Sequence, residues 1–368
     1  MQIDKLTFSG FRNLADGEFL PSVGVNILYG DNAQGKTNIL EACWLFTGGK
    51  SFRGAKDKEL VGFEKQNATL CMDFTAEGRQ QTATVDIVSR RQITLNAISQ
   101  KSPSAIVGRF CAVVFCPSHL DLVSGNPDGR RRFLDAAYCQ LKPSYIRTLS
   151  VYQHLLTQRN TLLKSIRAGQ AGGETEVAAL LDVWDMQLAG LSANITRARA
   201  RYIERILPTA AALYGGLSAG KERMSLKLIT PITDPAADKE SITAQYVELL
   251  RKNRCEDIAA GFSTVGAHRE DIGIAINGVS AKQYGSQGQQ RSAVLALKLS
   301  EAKLLKDITG EQPVVMLDDV MSELDIIRQD YILNHMHGRQ ILITCCDPAA
   351  IERQTGGKIF HIQNGKIE

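Results

Sequence analysis

The chain has 368 residues, of which 44% are hydrophobic and 22% charged, and a net charge of +4. This is ordinary globular composition and excludes wholesale disorder. There is no apolar run of membrane-spanning length, and the opening MQIDKLTFSG has neither the basic region nor the apolar stretch of a secretory signal, so a cytoplasmic protein is expected.

At this length, one large domain with an insertion, or two domains, is expected. In QIDKLTFSGF apolar and polar residues alternate, as in a strand, and GVNILYG is a short buried strand stopped by glycine. A helix is expected from Lys36 to about Thr47, closed by Gly48-Gly49. ATLCMDFTAEG, QTATVDIVSR and QITLNAIS then read as an antiparallel meander, and FCAVVFC as a further buried strand.

The character changes at NPDGRRRFLDAAYCQL, where Asn126 stands at a capping position and Pro127 at the first helical one. Helical spacing continues beyond Pro143, and the polar loop RAGQAGGETE leads to a second long helix, Val177 to about Leu207. These two form a helical hairpin, the expected insertion. Between Asn126 and Pro208 there are 12 Lys and Arg against 7 Asp and Glu, an excess larger than that of the whole chain. The basic character therefore sits in this segment. Strand–helix alternation returns in GIAING, the helix after Tyr284, PVVMLDDV, a helix from about Asp325, QILITCC and a closing KIFHIQNGKI hairpin. One α/β sheet assembled from both ends of the chain is expected, with no internal repeat.

The eight cysteines include no C-x-x-C pair, and the six histidines show no metal spacing; buried, reduced, structural roles are expected, with Cys345 and Cys346 in a strand. Gly30, Asp31, Asn32, Ala33, Gln34, Gly35, Lys36 and Thr37 spell G-x-x-x-x-G-K-T between an apolar strand and a helix, the context of a phosphate-binding loop. Its glycines let backbone N–H groups curl around phosphates, Lys36 reaches the β- and γ-phosphates, and Thr37 offers a hydroxyl to Mg²⁺. In VVMLDDV an apolar strand delivers Asp318 to hold Mg²⁺ through water and Asp319 to polarise an attacking water. Solvated acids at a strand end are the alternative. These elements imply a nucleotide triphosphate and Mg²⁺ without naming the task. The cluster GSQGQQR at 285–291 presents a hydroxyl and N–H groups at a second helix start, as though to another molecule's nucleotide.

The order of Gly30–Thr37, YGSQGQQR, VVMLDDV and SELD resembles the ABC-type ATPases of the SMC and Rad50 branch. More closely, FRNL at 11–14, GDNAQGKTN at 30–38, SFRGAKDKELV at 51–61, GNPDGRRRFLD at 125–135, GAHRED at 266–271 and GSQGQQR are similar to the segments of the RecF family of bacterial recombination mediators. The resemblance implies an α/β ATPase head, residues 1–117 and 263–368, with a mainly helical arm inserted at 118–262. It implies that Ser286 and Gly288, with Gln289 beside them, meet the γ-phosphate of ATP on a second copy, that Asp325 lies at the dimer seam, and that Asn38 belongs to the loop. Arg12 and Arg53 match arginines placed at the nucleotide in such heads; surface arginines are the alternative.

The resemblance also implies ATP-dependent homodimers that clamp DNA, single- or double-stranded and gapped, at stalled forks, and that support recombinase loading with RecO- and RecR-type proteins. Asp319, where most such ATPases have Glu, implies slow hydrolysis. Thr344-Cys345 stands where transporters keep a switch histidine, and CPSHL at 116–120 leaves the Q-loop unassigned. For DNA, Arg197, Arg201 and Arg205 share one helical face and Arg130, Arg131 and Arg132 form a second basic knot. A solvated face is the alternative for the stripe, and pinning of the arm is the alternative for Arg131 and Arg132. Other functions left open are an SMC-like chromosome-organising or nuclease-associated head, a P-loop metabolic enzyme and a nucleotide-gated scaffold.

Overall fold

A computed structural model of the chain describes residues 1–170 and 173–368. The strands run β1 (Gln2–Ser9), β2 (Gly17–Phe19), β3 (Val25–Tyr29), β4 (Ala68–Ala76), β5 (Arg79–Ile87), β6 (Arg91–Leu95), β7 (Ile98–Ser99), β8 (Ala112–Phe115), β9 (Met224–Ile229), β10 (Asp271–Ile276), β11 (Val279–Ser280), β12 (Val314–Asp318), β13 (Ile341–Cys345), β14 (Lys358–Gln363) and β15 (Lys366–Ile367). They are divided between two compact units.

The first unit comprises Met1–Leu120, Thr209–Arg223 and Gln287–Glu368. It holds two six-stranded sheets, ordered β2-β1-β4-β5-β6-β7 and β15-β14-β3-β13-β12-β8. The first is antiparallel throughout, and β4 buries every second side chain, as its alternating sequence requires. In the second, β14, β3, β13, β12 and β8 are parallel, and β12 and β13 are buried along their whole length. Helix Lys36–Leu45 buries nine of its ten residues, so it is enclosed rather than amphipathic. Its Ile39, Leu40 and Trp44 join Leu6, Met72 and Phe74 of one sheet and Val114, Met316 and Leu342 of the other in one core. Because the parallel strands all point one way, Tyr29, Asp318 and Cys345 end together at the carboxyl edge, where α/β sheets place their ligands.

The second unit comprises Asp121–Pro208 and Met224–Ser286. Helices Pro127–Leu141, Tyr145–Arg167, Lys239–Lys252 and Arg254–Ala260 accompany most of the 44-residue helix Glu174–Leu217. Tyr145, Tyr152, Leu188, Ile195, Ile242 and Tyr246 form its apolar core. The helix at 239–252 starts on Asp238, whose carboxylate accepts the Ser241 N–H at 2.8 Å.

Several expectations change here. Residues 263–286 belong to the inserted unit, because GIAING is β10 and pairs antiparallel with β9, and β11 completes a three-stranded sheet. Thr209–Arg223 returns to the first unit, and the boundary falls at Pro208, inside the long helix rather than after it. Asn126 occupies the N-cap position without a side-chain hydrogen bond, while Pro127 opens the helix. Ala171 and Gly172 of the expected hairpin loop lie outside the described residues.

Candidate active site

The loop after β3 turns sharply enough to need glycine. Gly30 and Gly35 have φ of +148° and +115°, and a Cβ on Gly35 would sit 2.9 Å from a Leu14 methyl. Ala33 is also left-handed, at +67°. The turn is braced from outside. Asn13 Nδ2 donates to the Ala33 carbonyl at 2.9 Å, Gly365 N to that of Gln34 at 2.9 Å, and Asn364 N to Gln34 Oε1 at 2.6 Å. Asp31, Asn32 and Ala33 are exposed, whereas Lys36 is buried. Its ammonium donates to the carbonyls of Gly30 at 2.5 Å and Asp31 at 2.9 Å and lies 3.8 Å from Cys346 Sγ.

Thr37 is the second residue of the enclosed helix, and its hydroxyl donates to Asp318 Oδ1 at 2.7 Å, across 281 residues of sequence. Thr344 Oγ1 donates to the same oxygen at 2.9 Å. Burial pushes the Asp318 carboxyl above its ordinary value, and these two hydroxyls oppose the shift. Asp319 follows with φ +54°, and its N–H donates to Thr344 Oγ1 at 2.9 Å. Ser322 Oγ holds the Asp319 carboxylate at 3.2 Å.

The two arginines take different partners. Arg12 is bidentate to the fully buried Glu41 at 2.9 and 3.1 Å and donates to the Glu59 carbonyl at 3.0 Å. Ser51 Oγ also donates to Glu41. Arg53 Nη1 donates to Asn38 Oδ1 at 2.9 Å, Asn38 Nδ2 donates to Asn13 Oδ1 at 2.6 Å, and the Arg53 charge acts on Asp318. Gly30–Asn38, Arg53, Asp318 and Asp319 therefore stand around one carboxyl edge.

Sequence reasoning gave Asn13, Glu41, Ser51 and Asn364 no role of their own: Asn13 and Asn364 brace the loop, Glu41 pairs with Arg12, and Ser51 donates to Glu41. Cys346 was expected in a strand, but β13 ends at Cys345, and Cys346 is exposed beside Lys36 and Asn32. Cys345 is buried, its thiol pushed up to about 12 by desolvation. In CPSHL, the Cys116 N–H donates to His119 Nδ1 at 3.3 Å, and burial and then the Lys298 charge drive that imidazole's pKa well down.

Thr37 and Asp318 offer a hydroxyl and a carboxylate, hard oxygens that suit Mg²⁺, which takes one or two carboxylates and completes its shell with water and phosphate. Among the described residues no group of three or more His, Cys, Asp or Glu gathers as an all-protein metal cage.

The second expected cluster begins at exposed Ser286, with helix Gln287–Thr309 following. Gln289 Nε2 donates to Glu222 Oε1 at 2.6 Å, and Tyr214 donates to Glu222 Oε2 at 2.6 Å. Asp325 caps the helix Ile326–Asn334, accepting from Arg328 N at 3.0 Å and Nη1 at 2.7 Å. That guanidinium faces Gly288, whose missing Cβ would lie 3.4 Å from it.

The basic knot is split. Arg130 is buried and bidentate to Asp271 at 2.5 and 2.8 Å, and it is removed from the DNA candidates. Arg131 donates to the Glu270 carbonyl at 2.6 Å and pairs with Asp128, so it too is spent within its unit. Arg132, Arg201 and Arg205 are exposed, and Arg197 is half-buried. The off-face Arg199 is buried between Asp135 at 2.8 Å and Glu270 at 2.9 Å. GNPDGRRRFLD and GAHRED are thus two halves of one polar staple inside the second unit.

A family model described as an AAA domain matches residues 5–154. The DNA replication and repair protein RecF of Acetivibrio thermocellus is 35% identical over 99% of this chain and 98% of its own length. That of Ruminiclostridium cellulolyticum is 39% identical over 94% and 92%. A solved structure of the recombination mediator protein RecF-ATP in the RecFOR pathway superposes with a TM-score of 0.91, at 33% identity, over 100% of this chain and 97% of that one. The Smc head domain of Pyrococcus furiosus, bound to the C-terminal domain of ScpA, shares the fold with a TM-score of 0.54 at 15% identity, over 100% and 96%.

Proposed function

The chain belongs to the RecF family of DNA replication and repair proteins, and from that premise we propose that it is an ATP-driven, DNA-binding switch of recombinational repair. The contact between Thr37 and Asp318 carries the reading, because it joins the phosphate loop to the acid a nucleotide site needs. Backbone N–H groups of Gly30–Thr37 and the Lys36 ammonium bind the phosphates, and Thr37 and Asp318 hold Mg²⁺. When bound, that ion supplies positive charge to the β- and γ-phosphate oxygens. Asp319 orients and polarises the attacking water, while Arg53 adds a fixed charge beside Asp318.

Ser286, Gly288 and Gln289 of a second copy close over the γ-phosphate, with Asp325 at the seam, so ATP drives a homodimer. Arg132, Arg201 and Arg205, with Arg197 contributing less, track DNA phosphates without reading sequence. Slow hydrolysis resets the dimer, and RecR- and RecO-type proteins are the partners in recombinase loading.

The test follows association state with Mg-ATP by light scattering for wild type and Ser286→Arg, with DNA binding measured in the same samples. Wild type dimerises and gains DNA affinity with ATP, and Ser286→Arg does neither. A wild type that stays monomeric with ATP overturns the switch; ATP-dependent dimers without DNA affinity at low salt leave a scaffold instead.

A further inference from the structure

Strand β13 lies between β3, which leads into the phosphate loop, and β12, which delivers the two acids. Its Thr344 is paired with Asp318 on one side and Leu28 on the other, and it is 1% exposed. In a parallel pair, opposed residues project to the same face, so the hydroxyl of Thr344 meets the carboxylate of Asp318 directly. The same oxygen then accepts the N–H of Asp319 at 2.9 Å. One hydroxyl therefore donates to the metal-side acid and accepts from the backbone of the water-side acid, a full use of its donor and one acceptor site.

The second bond has a conformational role. Asp319 sits at φ +54°, a region that costs a non-glycine residue energy and persists only where surroundings hold it. Ser322 Oγ lies 2.9 Å from the Asp319 carbonyl and 3.2 Å from its carboxylate, and the hydrogen bond from the Asp319 N–H to Thr344 holds the other side of that backbone, anchoring it to β13. We propose that Thr344 is a positioning residue for ATP hydrolysis: it locks Asp318 and Asp319 at a fixed separation and aims the Asp319 carboxylate through its left-handed backbone. The inference rests on the ATPase reading above. It assigns a hydroxyl to the strand end where transporters carry a histidine, with a task directed at the acids rather than the nucleotide.

Valine matches the shape and strand preference of threonine and lacks the hydroxyl, so Thr344→Val isolates it, and Thr344→Ser restores it. Three quantities separate the outcomes: steady-state kcat, equilibrium affinity for Mg-ATP, and amide exchange at Asp319 in protein without nucleotide. Thr344→Val lowers kcat roughly 10- to 100-fold, the scale of a small misplacement of a reacting group, and keeps affinity within about threefold, a difference well under one order of magnitude. Its Asp319 amide exchanges faster, and Thr344→Ser returns kcat and exchange to near wild type. Thr344→Ala replaces the valine variant if that one does not fold.

Unchanged kcat in Thr344→Val overturns the proposal. So does a serine variant as impaired as valine, which assigns the effect to the methyl group. A loss of affinity as large as that of Lys36→Ala overturns it too, because Thr344 then supports the loop. If Asp319→Asn hydrolyses ATP like wild type, the ATPase reading fails, and the amide-exchange comparison still decides whether Thr344 holds that backbone.

Discussion

Arg130 and Asp271, 141 residues apart, form a bidentate ion pair with the arginine side chain only 4% exposed. The pair ties the RRRFLD segment to the start of β10 and turns a basic run into a structural joint. Removing one partner strands the other charge, which costs several kcal/mol in buried pairs. Arg130→Ala should therefore lower unfolding stability in urea by about 3 kcal/mol, somewhat less if Asp271 rehydrates. DNA affinity of the folded fraction should stay at the wild-type level.

The exposed arginines behave in the opposite way. Arg201→Ala and Arg205→Ala should leave the urea midpoint nearly unchanged, as surface substitutions usually do. Each should reduce the slope of log affinity against log salt by about one unit and weaken binding equally across DNA sequences. Slopes identical to wild type would remove this helical face from the DNA contact.

Much of the candidate nucleotide site is legible in the sequence because its parts are local. Gly30–Thr37 needs positive φ and close backbone approach at fixed spacings, and only a few residue types satisfy that. The acids follow from an apolar run that ends in charge. Thr344 is not legible in the same way, since its hydroxyl acquires a task only through parallel register with Asp318. The arm boundary escapes for a related reason. The strands GIAING and MSLKLI alternate like any strand, and nothing local says that they pair with each other rather than with the main sheet. Arg130 and Arg131 read as a basic patch until Glu270 and Asp271 are seen opposite them.

Asp319→Asn removes the negative charge proposed to polarise water while keeping the side chain's shape. Hydrolysis should slow by on the order of 100-fold, the lower end for loss of a general base. ATP-induced dimers should last correspondingly longer when unlabelled protein is added to labelled dimers. Dimer exchange at the wild-type rate, with hydrolysis unchanged, would assign the water to another group.

Cys346 offers a chemical probe of the same site. It is exposed beside Lys36 and Asn32, whereas Cys345 is buried with its thiol pushed up to about 12. Iodoacetamide should label Cys346 and the exposed Cys255, and Mg-ATP should protect Cys346 alone. Alkylated protein should lose nucleotide binding, and Cys346→Ser should make it insensitive. Equal labelling of both thiols with and without ATP would place the nucleotide elsewhere.

The second unit should be sensitive to acid. His268 sits between the Tyr152 hydroxyl at 2.7 Å and the Ser263 carbonyl at 3.0 Å. Burial lowers its pKa from 6.5 to about 4, with Arg269 and Arg131 contributing and the Ser263 carbonyl opposing. The folded state therefore holds the neutral ring, and the unfolded chain takes up the proton first. This stability is present at pH 7 and is lost as pH falls from about 6.5 towards 4, on the order of 1–2 kcal/mol by pH 5. Urea unfolding at pH 7 and 5 measures the loss, and His268→Gln should flatten that difference.

Strand β3 carries a consequence for how the molecule is made. Both of its neighbours, β13 and β14, are synthesised some three hundred residues after it. At bacterial translation rates that is roughly 15–60 s during which the strand leading to Gly30 has no partner on either edge. Nascent chains in that interval present an open apolar ribbon of the kind that chaperones shield and that aggregates otherwise. A transcript cut short before Lys358 would yield a protein with the whole loop and its Asn13 brace, but without β14 on one edge of β3 and without the Asn364 and Gly365 N–H groups that hold Gln34. The loop thus gains its last two braces only when the closing hairpin has been made.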